Sequence, residues 1–394
     1  MSLSLTEEQE ELRSLVRRFL DDKSPTPRAQ PPGGSPPEYD TDLWGQISGT
    51  LGLTGIGVPE EYGGAGLGTA GLAVVLEEMG RSLYAGPFFA TAVLAGTALA
   101  HCGDEEARRR WLTGIAAGGL TATLATAEPG IGWEDTPSTA ARPDGAGWAL
   151  SGTKTYVVDG HSADLVLVSA RHGDDVGLFA LPSDAPGIQR TRLDALDDTR
   201  PLTRIDLDAA PATRIGAGDS RAELAVVRDV VRAALAAEQV GGAAACLDMA
   251  VEYATTREQF GRPIGSFQAV KHKCAQLLVE VECARSAARF AASAVGRADD
   301  EASIAASVAR AYCSGAFTHA AKENIQIHGG IGFTWEHAAH LYLRRAKASE
   351  LLFSTPRQER ARLARLTTAE LTPSGPAASG APTSGPATSG GTAR

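Results

Sequence analysis

The 394-residue chain is poor in features that would announce a chemistry by themselves. Its five cysteines, Cys102, Cys246, Cys274, Cys283 and Cys313, form no CxxC and no paired spacing. That excludes a disulfide framework and a zinc-finger set, and suits reduced thiols in apolar helical surroundings. No run of eighteen apolar residues occurs, so no membrane span is expected. No basic stripe offsets the net charge of −10, which argues against nucleic acid as a partner. The N-terminal Thr6-Glu7-Glu8-Gln9-Glu10-Glu11 is unlike a signal peptide. These absences together predict a cytoplasmic protein. No metal is expected either, because His337 and His340 make only an isolated i, i+3 pair.

What remains is an ordinary globular composition, 43% hydrophobic and 21% charged, with length for two or three domains. Thr6 and Gln9 make a capping box ahead of an apolar stripe of Leu12, Leu15, Val16, Phe19 and Leu20, which predicts a first helix. A Pro/Gly-rich loop over 25–37 follows, then helical patterns near 40–51, 68–83, 88–102 and 104–118. From Thr121 the pattern turns to short β-branched or alternating segments separated by Gly, Asp and Pro. Within them Trp148-Ala-Leu-Ser-Gly152-Thr-Lys154 suggests a hairpin with a Ser-Gly turn. Long Ala/Leu/Glu/Arg-rich helical stretches then run from Ala222 to Leu366. The expected organisation is α+β: a helical domain over 1–120, a small β-barrel-like domain over 121–222, and a four-helix bundle over 223–368. Residues 369–394 form a Pro/Ser/Gly/Ala/Thr tail with too little apolar surface to fold.

Two segments carry chemistry. Thr256-Arg257-Glu258-Gln259-Phe260-Gly261-Arg262 and Gln326-Ile-His328-Gly329-Gly330-Ile-Gly332 each combine a polar or cationic side chain with glycines that admit close backbone approach. An arginine and a glutamine beside Gly-Gly suit a pyrophosphate and an adenosine end better than a metal or a nucleophile. Read singly, Arg257 could cap a helix, Phe260 could belong to a core, and the glycines could serve a tight turn.

Together the two segments resemble the flavin-holding motifs of the acyl-CoA dehydrogenase family, over about residues 1–366. The resemblance implies FAD bound by Arg257, Phe260, Gln326, Gly329 and Gly330, across a subunit interface. A second flavin segment is implied at Thr126-Ala127-Glu128-Pro129-Gly130 and at Tyr156-Val157-Val158-Asp159-Gly160. Ala127 and Val158 replace the hydroxyl residues usual there, and Trp133 stands where the family has serine. Each missing hydrogen bond is worth ~0.5–1.5 kcal/mol, which weakens the ring site without excluding flavin. The family's glutamate base is also missing: Phe353 occupies its usual place, and Val231 occupies the alternative place before Arg232, itself implied to lie near the substrate.

Two carboxylates remain as candidate bases. Glu238 lies two helical turns after Val231 on an apolar stripe, where burial would raise its pKa; otherwise it is a structural acid paired with a bundle arginine. Glu350, one turn before Phe353, is the second choice. The implied activity is α,β-desaturation of an acyl-CoA or acyl-carrier-protein thioester by a homo- or hetero-oligomer (dimer or tetramer), with electron-transfer flavoprotein as acceptor. A weakly active subunit that completes a hetero-oligomer, and a flavin enzyme of other chemistry, stay open as alternatives.

Overall fold

The structure is a computed structural model that describes residues 4–24, 39–145 and 147–371. The loop expected over 25–37 and the tail beyond 371 lie outside the described residues. Helix α1 (Glu7–Lys23) starts at the expected capping box: Gln9 N–H donates to Thr6 Oγ1 at 3.2 Å, and Thr6 N–H donates to Gln9 Oε1 at 3.1 Å. Val16 and Leu20 bury its apolar stripe. Arg17 ties it to helix α2 (Gly68–Arg81) through a paired contact with Glu78, 2.8 Å to each oxygen. A helical segment over 41–50, an apolar helix α3 (Phe89–Cys102) and a helical stretch over 105–116 are the other long helical pieces of this part.

Seven strands follow: β1 (Ala122–Ala125), β2 (Ala140–Asp144), β3 (Gly147–Val158), β4 (Leu165–His172), β5 (Asp175–Pro182), β6 (Ile188–Leu193) and β7 (Leu202–Ile215). Strand β4 pairs with both β2 and β5, and the run β2-β3-β7-β5 closes the ring into a small barrel, while β1 and β6 flank it. The hairpin expected at Ser151-Gly152 is not formed. Strand β3 passes straight through that dipeptide, since β7 pairs with both of its halves. A register shift between Leu150 and Gly152 absorbs the irregularity as a bulge. The Ser-Gly signal marked a bulge instead of a turn.

The C-terminal part holds α4 (Arg221–Thr256), α5 (Gln268–Gly296), α6 (Ala302–His328), α7 (Ala339–Leu351) and α8 (Pro356–Leu371). Helix α4 is long and apolar enough to cross a membrane, yet 94% of its most apolar window is buried inside the fold. Its hydrophobicity is that of a core helix. Two glycines let it cross α2 with the backbones touching: a Cβ on Gly241 would stand 1.7 Å from the Glu77 carbonyl oxygen, and one on Gly80 2.0 Å from that of Glu238. This crossing fixes Glu238 against the end of α2 and the start of α3. Side chains from the barrel, the first helices and α4 therefore converge at one interior place.

Candidate functional site

The first candidate region is an open edge at the end of the bundle. Helix α4 stops at Arg257, and Ala250, Ala254 and Ile327 form a small core that brings this end beside the end of α6. The Tyr253 and His328 rings stack there at 4.3 Å. The polar groups above this core are unused. Arg257 is exposed, and its guanidinium has no ion-pair or hydrogen-bond partner among the described residues. Gln326 is exposed, Phe260 is 90% exposed, and a Cβ added to Gly329 or Gly330 would meet nothing within 4 Å. Phe260 holds φ at +53°, a left-handed backbone unusual for a phenylalanine. An exposed aromatic, an unpaired guanidinium and a bare glycine backbone on one edge make a fitting cradle for an aromatic ring system carrying a diphosphate.

The barrel presents the second set. The Thr126–Ala127 loop is joined to β3 by the Thr155 N–H, which donates to the Ala127 carbonyl at 2.9 Å. Beneath it lies a buried strut that the motif alone did not reveal as such: Lys154 Nζ reaches Glu128 Oε1 at 2.7 Å and the Thr126 carbonyl at 3.2 Å. Burial would raise the Glu128 pKa, but Lys154, Ser138 and Thr139 outweigh it and hold the carboxyl down to about 2. Tyr156 is 59% exposed with φ at +54°, so a second aromatic ring stands open. Val158 is buried and its carbonyl already accepts from the Thr123 hydroxyl at 2.6 Å. No hydrogen bond, ion pair or ring contact links this set to Arg257, Phe260 or Gln326 among the described residues.

The third place is the interior that holds the candidate bases, and here the expected pKa shift needs correction. Glu238 is fully buried but doubly claimed. Arg200 Nη2, from the loop before β7, donates to it at 2.6 Å, and Arg345 of α7 pairs with it from the other side. Burial alone would raise its pKa; the two guanidiniums outweigh that and hold the carboxyl below the usual carboxylate range. The expected upward shift is therefore reversed, and the acid is paired with two arginines. Arg345 is itself shared with Asp197 at 2.6 Å and with the Thr199 carbonyl at 3.1 Å. Arg232 is not free for a substrate, being 2% exposed and enclosed by Glu134, Asp229 at 3.0 Å and Glu359 at 2.9 Å. Glu350 is engaged by Lys347 of its own helix and by the Thr318 hydroxyl at 3.2 Å.

Phe353, at the place where the resemblance implies a base, is packed among aromatics. Phe353 lies 4.9 Å from Trp133 and 6.3 Å from Phe89, ring centre to ring centre. Arg232 covers the outer ring, Trp133, at 5.0 Å, and Arg200 covers Phe89 at 4.8 Å. The sequence pointed to Phe353 and Trp133 as replacements; that they touch, with Phe89 as a third ring, needed the fold. Phe353 adopts φ +65° on a loop held by buried Arg310. Arg310 Nη2 donates to the carbonyls of Ser349 at 2.6 Å, Ser354 at 2.9 Å and Leu352 at 3.0 Å. Arg310 and Arg200 left no sequence signal, since both act through partners distant along the chain. His337 and His340 are ring partners of His328, at 4.2 Å, and Trp335, at 4.9 Å.

Family models for three successive domains match the chain: acyl-CoA dehydrogenase N-terminal domain over 6–119, middle domain over 123–208 and C-terminal domain over 210–364. The acyl-CoA dehydrogenase FadE34 of Mycobacterium tuberculosis is 37% identical over 88% of this chain, which spans 46% of that protein's length. The acyl-CoA dehydrogenase IpdE2 of the same organism is 34% identical over 91% of this chain and 96% of its own length. Among solved structures, a variant of the Tcur3481-Tcur3483 steroid ACAD superposes with a TM-score of 0.84 at 35% identity, over 93% of this chain and 99% of that one. The ChsE4-ChsE5 complex from M. tuberculosis gives 0.81 at 28%, over 93% and 99%. With three successive domains matched and relatives above 30% identity over nearly its whole length, the chain belongs to the acyl-CoA dehydrogenase family.

Proposed function

We propose that this chain works in an FAD-dependent acyl-CoA dehydrogenase that oxidises an acyl thioester to the α,β-enoyl thioester. The observation that carries the reading is the division of the cradle. Arg257 and Gln326 offer unpaired side chains beside the exposed Phe260 and the uncovered Gly329–Gly330 backbone at one edge, Thr126, Ala127 and Tyr156 offer a second face, and no contact among the described residues joins them. A flavin dinucleotide is long enough to use both only where two chains meet, so the working unit is a dimer or a larger oligomer. Arg257 would carry the diphosphate charge, Tyr156 and Phe260 would cover flat rings, and the Gly329–Gly330 backbone would admit the adenosine end. Bound FAD supplies the acceptor for the hydride leaving the β-carbon.

A second reading is favoured by the Trp133–Phe353 contact. The proton leaving the α-carbon needs a carboxylate, and this chain places aromatic rings at that position while Glu238 is held by two arginines. In this reading the chain completes a cofactor site whose base belongs to a partner chain of the same family. An acyl-CoA or acyl-carrier-protein thioester as substrate, electron-transfer flavoprotein as acceptor and a cytoplasmic setting complete the proposal.

Purification alone and together with candidate partner chains, with flavin counted per chain, tests both. Flavin bound by the oligomer with substrate-dependent bleaching supports the dehydrogenase. Bleaching only in the mixed assembly selects the second reading, and a flavin-free protein in every assembly would overturn both.

A further inference from the structure

Behind the aromatic rings lies a small, partly open cavity of about 10 Å³. Phe89 belongs to both: it stacks on Phe353 and also walls the cavity, beside Leu76, Met79 and Phe88. Asp159, Arg200 and Glu238 supply the charged side. The space holds about one oxygen atom.

The polar accounting around this hole does not close. Glu238 is used on both sides by Arg200 and Arg345. Arg200 is 8% exposed, and its Nη2 serves Glu238, but its Nη1 is buried without a hydrogen-bond partner. Asp159 is 4% exposed, and its carboxylate accepts no hydrogen bond from any described residue. Burial pushes its pKa up to about 7, against the pull of Arg200, Arg345 and Arg192. Around an oxygen-sized space that Tyr84 also walls, the Arg200 Nη1 donor and the Asp159 acceptor are thus left unmet among the described residues. Buried groups in that condition are normally satisfied by a ligand or a solvent molecule.

We propose that this cavity is a binding site for one neutral hydroxyl group, which accepts from Arg200 Nη1 and donates to the Asp159 carboxylate. The surroundings select that chemistry. An anion would face the carboxylates of Asp159 and Glu238, and a cation would face Arg200 and Arg345. A methyl group would leave both polar atoms orphaned. Only a group that donates and accepts at one atom answers both. The hydroxyl has two possible sources, a solvent water or the far end of an oxygenated acyl group that threads past Phe89; the second source rests on the acyl-thioester reading above.

Crystals of the oligomer as purified, and soaked with two CoA thioesters of one carbon skeleton with and without a terminal hydroxyl, test this. The expected result is a single oxygen within about 3.2 Å of both Arg200 Nη1 and Asp159. It should persist in Asp159→Asn and vanish in Asp159→Leu. Isolated density with equal binding of the two thioesters identifies water. Density continuous with the acyl chain, with the hydroxylated thioester bound ~10-fold tighter and that margin lost in Asp159→Leu, identifies the acyl group. If Asp159→Leu does not fold, Arg200→Met reads the same margin. A dry cavity, an anion, or hydrocarbon against both groups overturns the proposal. Flavin content of the same samples is a separate readout, so loss of flavin would sink the dehydrogenase reading and leave the cavity result standing.

Discussion

The open edge at Arg257 and the closed interior at Glu238 are opposites in how their polar groups are spent. At the edge, a guanidinium and a glutamine side chain have no partner among the described residues, the Gly329–Gly330 backbone is uncovered, and a phenylalanine faces outward. In the interior, Glu238 has two guanidiniums, Arg232 is enclosed by three carboxylates, and three aromatic rings pack together beside the small cavity described above. Unspent groups mark where a ligand or a partner completes the structure. Over-committed groups mark where the fold completes itself, and a residue's type does not say which of the two it is. Both places contain a buried or exposed charge beside aromatics. Only the partner list separates them.

The sharpest way to break this contrast is to return the interior to catalytic use. Phe353→Glu combined with Trp133→Ser should raise the rate of flavin reduction by substrate ~10²–10⁴-fold in stopped-flow traces, the usual contribution of a general base. No gain would place the obstacle elsewhere. The next largest effect concerns stability. Glu238→Ala strands Arg200 and Arg345 in the interior and should cost about 3–5 kcal/mol in urea unfolding. Glu238→Gln, in contrast, should change flavin reduction less than ~10-fold, whereas a true base would lose the full range given above.

At the edge the balance is reversed. Arg257→Ala should leave the unfolding midpoint of the flavin-free protein in place, and weaken flavin binding by about 1.5–3 kcal/mol, or roughly 10- to 150-fold. Retention of wild-type affinity would remove Arg257 from the cradle. Phe260→Ala should change stability by less than about 0.5 kcal/mol, because an exposed ring contributes little to the core. The smallest expected effect separates a third kind of group, the Glu128 strut. Its folded pKa lies near 2, below the ordinary value of 4.5, so its stabilisation is complete above about pH 4.5 and is lost as pH falls toward 2. Glu128→Gln should flatten the acid limb of the stability curve across that window. An unchanged limb would assign acid sensitivity to other carboxylates.

Much of the frame was legible because it is local. The Thr6–Gln9 capping box, the apolar stripe behind it and the helices from Arg221 onward all leave periodic traces within a few residues. The two glycine-bearing segments were legible for the same reason. The interior was not. Arg200 reaches Glu238 from 38 positions away and Arg345 from 107, and no periodicity encodes such a meeting. An acid on an apolar stripe invited an upward pKa, and only the arrival of two distant cations reversed the sign. The Ser151-Gly152 signal failed for a related reason: a turn and a bulge want the same residues, and the partner strand β7 decided between them.

Arg310 has a consequence beyond packing. It grips the loop at 349–354 through main-chain carbonyls, and none of its hydrogen bonds touches the side chain at 353. The shape of the loop is thereby made independent of what it displays, as a socket is indifferent to the bulb. A side chain exchanged at that point meets a backbone whose shape is set by Arg310 and not by the side chain itself.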